Sequence, residues 1–544
     1  MRYSIRGPLR GPALLAATLA LATVTACSGG SGGGPPSASG TGGTAAAPTT
    51  ASAAPPPPPP SPTPTPTRSY PLSTAPLTIP AVASHRAARG PGWKPGPDTG
   101  VVVAAKDEAA LADEARLLAG ELRIPYRGTA AARPGDVSLA LGGQGGAESY
   151  TLAVQGGGVR ITGPGEAGVF YGTRTLKQSV RATGAIPEGV IDDAPAKPRR
   201  GLMVDIARKY FDAAWIEARV REMADLKLNE LGLHFSDDQG FRIASDSHPE
   251  IVSAQHLSKA EVRRIVDLAA SLHIAVVPEI DSPGHLGAVI AAHPDLQLVS
   301  ATGRAPRGAV DISKPASAKL VDELLREYTG LFPGAYWHLG ADEYVALMAK
   351  NPEATYPQLA RAATAAYGAS GRVQDLATGW LNARAAVVRP TGKALRAWND
   401  GFFAGGVTSA DKDLQVAYWT GKEIGARPPL AYLSAGRKVL NYNDEYLYYV
   451  LGQPNDFTYP TGRRIYEQWT PLVLRGTAPV PARYDPQILG GSFAVWCDLA
   501  NAQTQAQVAD GIRMPLTATA QKLWDSRKPT LTWDRFRTLA GQVR

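Results

Sequence analysis

The chain has 544 residues, room for more than one folded unit, and its formal charge of +8 arises from 56 Lys and Arg intermixed with 48 Asp and Glu. Without a long basic block, that balance argues against a nucleic-acid partner. Only two cysteines occur, Cys27 and Cys497, so no disulfide framework is expected and stability has to come from a large apolar core.

Arg2, Arg6 and Arg10 flank a charged start, and residues 11–24 form an uncharged, mostly apolar run. Its length suits the core of an export signal and is short for a membrane span. The run ends in Val24-Thr25-Ala26-Cys27, which resembles the bacterial lipobox, whose cysteine is lipidated. Residues 1–27 are therefore expected to be a lipoprotein-type signal peptide, with Cys27 anchoring the exported chain on the extracellular face of the cell membrane. Ordinary cleavage and full secretion is the alternative. Residues 28–68 are almost wholly Ser, Gly, Thr, Ala and Pro, including the run Pro55 to Pro60. Such a segment buries too little apolar area to fold and reads as a tether. Gly29-Gly-Ser31-Gly-Gly33 mimics a nucleophile elbow but falls in that tether.

Residues 69–195 predict a small α/β accessory domain, with a strand at 100–105, an amphipathic helix at 108–122, a hairpin over 150–161 and a second helix at 167–180. Gly163-Pro-Gly165-Glu-Ala-Gly168 formally matches a dinucleotide fingerprint. Pro164 removes a backbone donor where phosphate would need one, and the preceding hairpin is not a parallel βαβ unit, so a turn is the better reading.

From 196 to 544 the rhythm changes. Apolar, β-rich runs at 201–207, 230–236, 275–281, 336–342, 395–400, 415–421, 438–443 and 491–498 alternate with helical stretches such as 215–228 and 260–272. Near-continuous apolarity suits parallel strands buried on both faces, and eight strand–helix repeats predict a (β/α)8 TIM barrel. In that fold, active groups collect at the C-terminal strand ends. Those ends carry Asp205 and Arg208, Asp237 and Asp238, Glu279 and Asp281 with His285 beyond, Asp342-Glu343, Trp398, Trp419, Tyr446, and Trp496 with Asp498. Singly, each has a plain structural explanation; Asp205 could be an ion-pair partner of Arg208, Trp398 a core filler and Asp498 a cap. Together, acids and aromatics at one mouth describe a sugar site, since aromatic faces stack on pyranose rings while carboxylates and Arg bind hydroxyls and assist bond cleavage.

Arg200-Gly-Leu-Met-Val-Asp205-Ile-Ala-Arg208, Ser236-Asp-Asp-Gln-Gly240, Val277-Pro-Glu-Ile-Asp281-Ser-Pro-Gly-His285 and His338-Leu-Gly-Ala-Asp342-Glu343 resemble glycoside hydrolase family 20, in order over roughly 350 residues. Gly168-Val-Phe-Tyr-Gly172 with Thr175-Leu-Lys-Gln178 resembles the end of that family's preceding small domain. The resemblance implies a retaining, exo-acting β-N-acetylhexosaminidase working by substrate-assisted catalysis on N-acetylated oligosaccharides or glycoconjugates. Glu343 would be the general acid/base and Asp342 the residue that positions the 2-acetamido group. Asp237 and His285 would form a relay behind Glu343, and Tyr446 would bond the acetamido carbonyl. Arg208 and Asp498 would bind sugar hydroxyls, and Trp398, Trp419 and Trp496 would wall the pocket. Two acids adjacent in sequence fit this scheme, because neighbouring strand side chains diverge and do not face each other across a sugar.

Four positions depart from the family pattern. Ala341 stands for a glycine, Lys209 for a histidine, Asp498 for the usual glutamate, and Tyr448 for an acid or amide two residues after Tyr446. The changes at Asp498 and Tyr448 bear on how much sugar is removed, so release of a disaccharide, as by the family's lacto-N-biosidases, is the alternative. A non-catalytic glycan-binding surface lipoprotein is a third reading, which the intact acid pair opposes. The eight histidines contain no His-Glu-x-x-His arrangement, so neither a metal nor any other cofactor is expected for the chemistry.

Overall fold

The computed structural model describes residues 69–423, 425–452 and 459–544. The expected signal peptide, Cys27 lipid site and tether lie outside the described residues.

The first sheet has six strands, β1 (Ser84–Ala87), β2 (Val101–Val103), β3 (Val137–Leu141), β4 (Tyr150–Gln155), β5 (Gly158–Gly163) and β6 (Gly189–Asp193), in the order β1-β6-β4-β5-β3-β2. Helices Glu108–Leu122 and Glu166–Thr183 pack on it and on each other. The second helix approaches the strands closely because it presents glycines. A Cβ at Gly168 would collide with the Ser149 carbonyl oxygen, and one at Gly172 with Ile161. These contacts account for the fingerprint-like glycines, and β4 and β5 are an antiparallel hairpin.

The second sheet is a closed parallel barrel. Its strands are β7 (Arg199–Asp205), β8 (Glu230–His234), β9 (Ala275–Glu279), β10 (Tyr336–His338), β11 (Ala394–Trp398), β12 (Gln415–Tyr418), β13 (Val439–Asn441), β14 (Tyr448–Val450) and β15 (Ile488–Trp496). Each pairs in parallel with the next around the ring, and β15 closes it by pairing with both β13 and β7. This is the predicted (β/α)8 barrel with one refinement. The seventh strand is broken: β13 pairs with the lower half of β15, then a one-turn helix (Asp444–Leu447) intervenes, and β14 pairs with the upper half. The strands are buried on both faces; in β7, Leu202 and Val204 are fully buried, each contributing roughly 1.5–3 kcal/mol.

The small sheet is joined to the bottom of the barrel by buried charge. Arg200, at the start of β7, makes a two-pronged contact with Glu148, both N···O distances being 2.9 Å, a geometry that combines strength with orientation. Lys227 reaches Thr175 at 2.8 Å and Tyr150 at 3.0 Å, and the Trp524 indole N–H donates to Asp193.

Candidate active site

The C-terminal ends of the strands surround a cavity of about 240 Å³ whose lining includes Arg208, His285, Asp342, Glu343, Trp419, Tyr448, Trp496 and Asp498. Asp205, the last residue of β7, fixes the first of these. One carboxylate oxygen accepts the backbone N–H groups of Ala207 and Arg208, and the other accepts the Cys497 N–H and lies 3.1 Å from the Arg208 guanidinium. Arg208 also pairs with Asp237 at 2.8 Å and lies over the Trp496 ring. Burial works against its charge, but Asp205, Asp237 and Asp498 more than offset that and hold it firmly cationic.

Behind the cavity runs a chain of charged groups. His234 is 2.8 Å from Asp237 Oδ2. Asp237 Oδ1 is 3.3 Å from His285 Nδ1, and His285 Nε2 is 3.4 Å from Glu343 Oε2 and 3.7 Å from Asp342 Oδ2. Burial would lower the His285 pKa, yet the surrounding carboxylates of Asp237, Asp342 and Asp281 raise it well above its ordinary value, which favours the charged ring. Its close contact with Glu343, followed by its charge and that of Arg208, lowers the Glu343 pKa against the opposing effect of burial. Asp342 goes the other way. Burial first, then the Asp281 charge, push its carboxyl well above the usual range. Two adjacent acids therefore sit in opposite electrostatic environments.

The turn that presents them is unusual. Gly340, Ala341 and Glu343 have positive φ of 66°, 83° and 46°. A side chain at Gly340 would overlap Asp281, and the left-handed backbone at Ala341 carries strain of order 1–3 kcal/mol. Two carboxylates pin the turn: Asp281 Oδ1 accepts the Ala341 N–H at 2.8 Å, and Asp400 Oδ2 accepts the Glu343 N–H at 3.0 Å. Asp400 also accepts the Trp419 indole N–H at 2.9 Å. The result aims Glu343, with a side chain 37% exposed, into the cavity beside Asp342, at 12%. Asp342 Oδ1 is buried and accepts no hydrogen bond among the described residues.

Two expected site residues are placed elsewhere. Tyr446 is not among the residues that line the cavity. It sits in the one-turn helix between β13 and β14, its ring lies under Arg464, and its buried hydroxyl has no partner among the described residues. The break restarts the strand alternation, so Tyr448 points inward instead; it stacks on Trp419 with centroids 5.8 Å apart and planes 4° from parallel. Trp398 is likewise not among the lining residues. Its indole N–H donates to Glu279 at 2.7 Å, and its ring lies 5.9 Å from Trp496. Lys422 and Glu423, unmarked by any motif, also line the rim; Lys422 is 3.1 Å from Asp444. Asp281, His285 and Asp342 bring ligating atoms within 4.8 Å of one another, but His285 is already committed between Asp237 and Glu343.

Residues 198–527 match the model of the glycosyl hydrolase family 20 catalytic domain, and residues 75–194 match that of the family's domain 2. The chain belongs to glycosyl hydrolase family 20. Among curated relatives, a lacto-N-biosidase of Bifidobacterium bifidum is 29% identical over 85% of this chain and 41% of its own length. A β-N-acetylhexosaminidase of Cellulomonas fimi is 28% identical over 72% of this chain and 77% of its own. The chain spans less than half the length of the Bifidobacterium relative and of a similar β-hexosaminidase from Akkermansia muciniphila. The solved β-N-acetylhexosaminidase of Streptomyces coelicolor A3(2) superposes with a TM-score of 0.68 at 25% identity, covering 87% of this chain and 95% of that one.

Proposed function

We propose that this family 20 chain hydrolyses β-linked N-acetylhexosaminides with retention, using the substrate's own acetamido oxygen as nucleophile. The observation that carries the reading is the acid pair, with Asp342 buried and its Oδ1 without a hydrogen-bond partner among the described residues, and Glu343 exposed and backed by His285. Glu343 in its protonated form gives its proton to the glycosidic oxygen as the C1–O bond breaks, and the acetamido oxygen bonds to C1. Asp342 Oδ1 accepts the acetamido N–H and so orients that oxygen. Tyr448 takes the role first expected of Tyr446, its hydroxyl donating to the acetamido carbonyl. Glu343, now a carboxylate, removes a proton from the water that attacks C1 and reopens the ring. Trp419 and Trp496 supply stacking faces, and Arg208 and Asp498 bind ring hydroxyls.

Glu343→Gln and Asp342→Asn are each expected to lower turnover of an aryl N-acetyl-β-glucosaminide by two or more orders of magnitude, the scale of general acid–base and positioning effects. Proton NMR of the first-formed anomer should show the β form. A near-normal rate in either purified variant sinks the proposal.

A second reading is favoured by Asp498, one methylene shorter than the family's usual glutamate, and by the extent of the match to the lacto-N-biosidase. In that version the chain releases a disaccharide whose N-acetylglucosamine occupies the cavity. Product analysis on lacto-N-tetraose separates the two, since exclusive monosaccharide release rejects it. Export and lipid anchoring at Cys27 complete the proposal on the strength of residues 1–27; a Cys27→Ala chain that still partitions with membranes would reject the anchor.

A further inference from the structure

Away from the sugar cavity, three side chains from two barrel loops converge. His248 precedes and Glu250 lies within the short turn Pro249–Ile251 after β8, and His293 follows the helix Gly287–Ala292 after β9. Glu250 Oε1 lies 3.0 Å from His248 Nδ1 and 2.8 Å from His293 Nε2, and the three ligating atoms are within 4.8 Å of one another. The other nitrogen of His248, Nε2, is 3.2 Å from Glu323 Oε2. If Nε2 carries the proton that Glu323 accepts, the neutral ring turns a lone pair at Nδ1 toward a carboxylate oxygen. Two acceptors that close require a cation. A proton can bridge two of the three atoms, whereas a metal ion bonds all three. A carboxylate behind a ligating imidazole is also the recurrent support for metal-bound histidine, because it fixes the tautomer and the ring plane.

The loop is held in place before any ion arrives. Glu327, one turn beyond Glu323 on the helix Pro315–Leu331, accepts the Ser245 hydroxyl at 2.8 Å, the Asp246 N–H at 2.7 Å and the Ser247 N–H at 3.1 Å. Thus one helix orients both the backbone of the loop and the ring of His248.

We propose that His248, Glu250 and His293 bind one divalent transition-metal ion of the zinc class, with Glu323 as the positioning residue for His248. Two imidazoles and a carboxylate suit zinc, cobalt(II) or nickel(II) and leave at least one position for water. The ion would tie the loop after β8 to the helix that begins two residues beyond His285, a structural staple outside the chemistry itself.

The full chain, stripped with chelator and titrated with Zn²⁺ alone by calorimetry, is expected to bind one equivalent. His293→Gln and His248→Gln should abolish that equivalent, and Glu323→Gln should weaken it about 10–100-fold, the range for such supporting carboxylates. Asp342→Asn should retain it. Cobalt(II) substitution gives a visible spectrum that depends on the ligand set and not on stability, and circular dichroism confirms that the variants fold. Absence of stoichiometric binding, binding unchanged in both histidine variants, or binding lost instead in Asp342→Asn would overturn the assignment, the last by moving the ion to the Asp281, His285 and Asp342 cluster.

Discussion

Asp281 offers a measurable test of the electrostatics beneath the acid pair. Its side chain is fully buried, and burial, aided by the neighbouring Glu279 charge and opposed by His285, pushes its carboxyl up from 3.8 to about 7. A carboxyl whose folded-state pKa exceeds its unfolded value binds protons more tightly when folded, so it costs almost nothing below pH 4, and its cost builds up between about pH 4 and 7 and levels off above 7. A shift of roughly three units at about 1.4 kcal/mol each sets an upper bound near 4 kcal/mol above pH 7. Asp281→Asn keeps an oxygen for the Ala341 N–H and removes the charge, so it is expected to stabilise the chain by about 2–4 kcal/mol at pH 7.5 and by almost nothing at pH 4. Urea midpoints followed by tryptophan fluorescence at the two pH values would measure this. A variant less stable than the parent at pH 7.5, or a gain of equal size at both pH values, refutes the reasoning.

Three further outcomes are expected. Tyr448→Phe should lower kcat on an aryl N-acetylglucosaminide about 100-fold, the scale for loss of one aimed donor, while Tyr446→Phe should stay within about twofold of the parent; the reverse ranking would restore Tyr446 to the site. Because His285 lowers the Glu343 pKa, His285→Ala should let that pKa rise and move the falling, high-pH limb of kcat/KM to higher pH, whereas a purely structural role would leave the limb in place. Glu148→Ala leaves the fully buried Arg200 unpaired and should cost about 3–5 kcal/mol in urea unfolding without altering KM.

The barrel was legible because parallel strands buried on both faces leave continuous apolar runs, and the helix predicted at 108–122 has those same bounds in the structure. The small sheet was only partly legible. β1, with three of its four residues exposed, has no apolar signature, and β3 and β6 are five-residue strands within stretches rich in glycine. At the site, the motifs led to the residues that meet around His285, since each sits directly at a strand end. Local sequence does not announce that the seventh strand stops after β13 and restarts at β14, which brings Tyr448 to the cavity lining. At Trp398, a strand-end tryptophan whose N–H is committed to Glu279 looks the same in sequence as one that faces solvent. Asp400 was passed over for a similar reason: the backbone N–H it holds belongs to Glu343, 57 residues earlier.

The pairing of β7 with β15 also has a consequence in time. All six strands of the small sheet precede residue 194, so that sheet can form while the barrel is still being synthesised. The barrel cannot close until its last strand exists, since β15 bridges β13 to β7. Until then, seven parallel strands have two unpaired edges, the state most open to association with other chains. Loss of the C-terminal segment from β15 onward should therefore yield aggregated chain and not a weaker enzyme, and the rate of reaching the active state should be set by that single late closure.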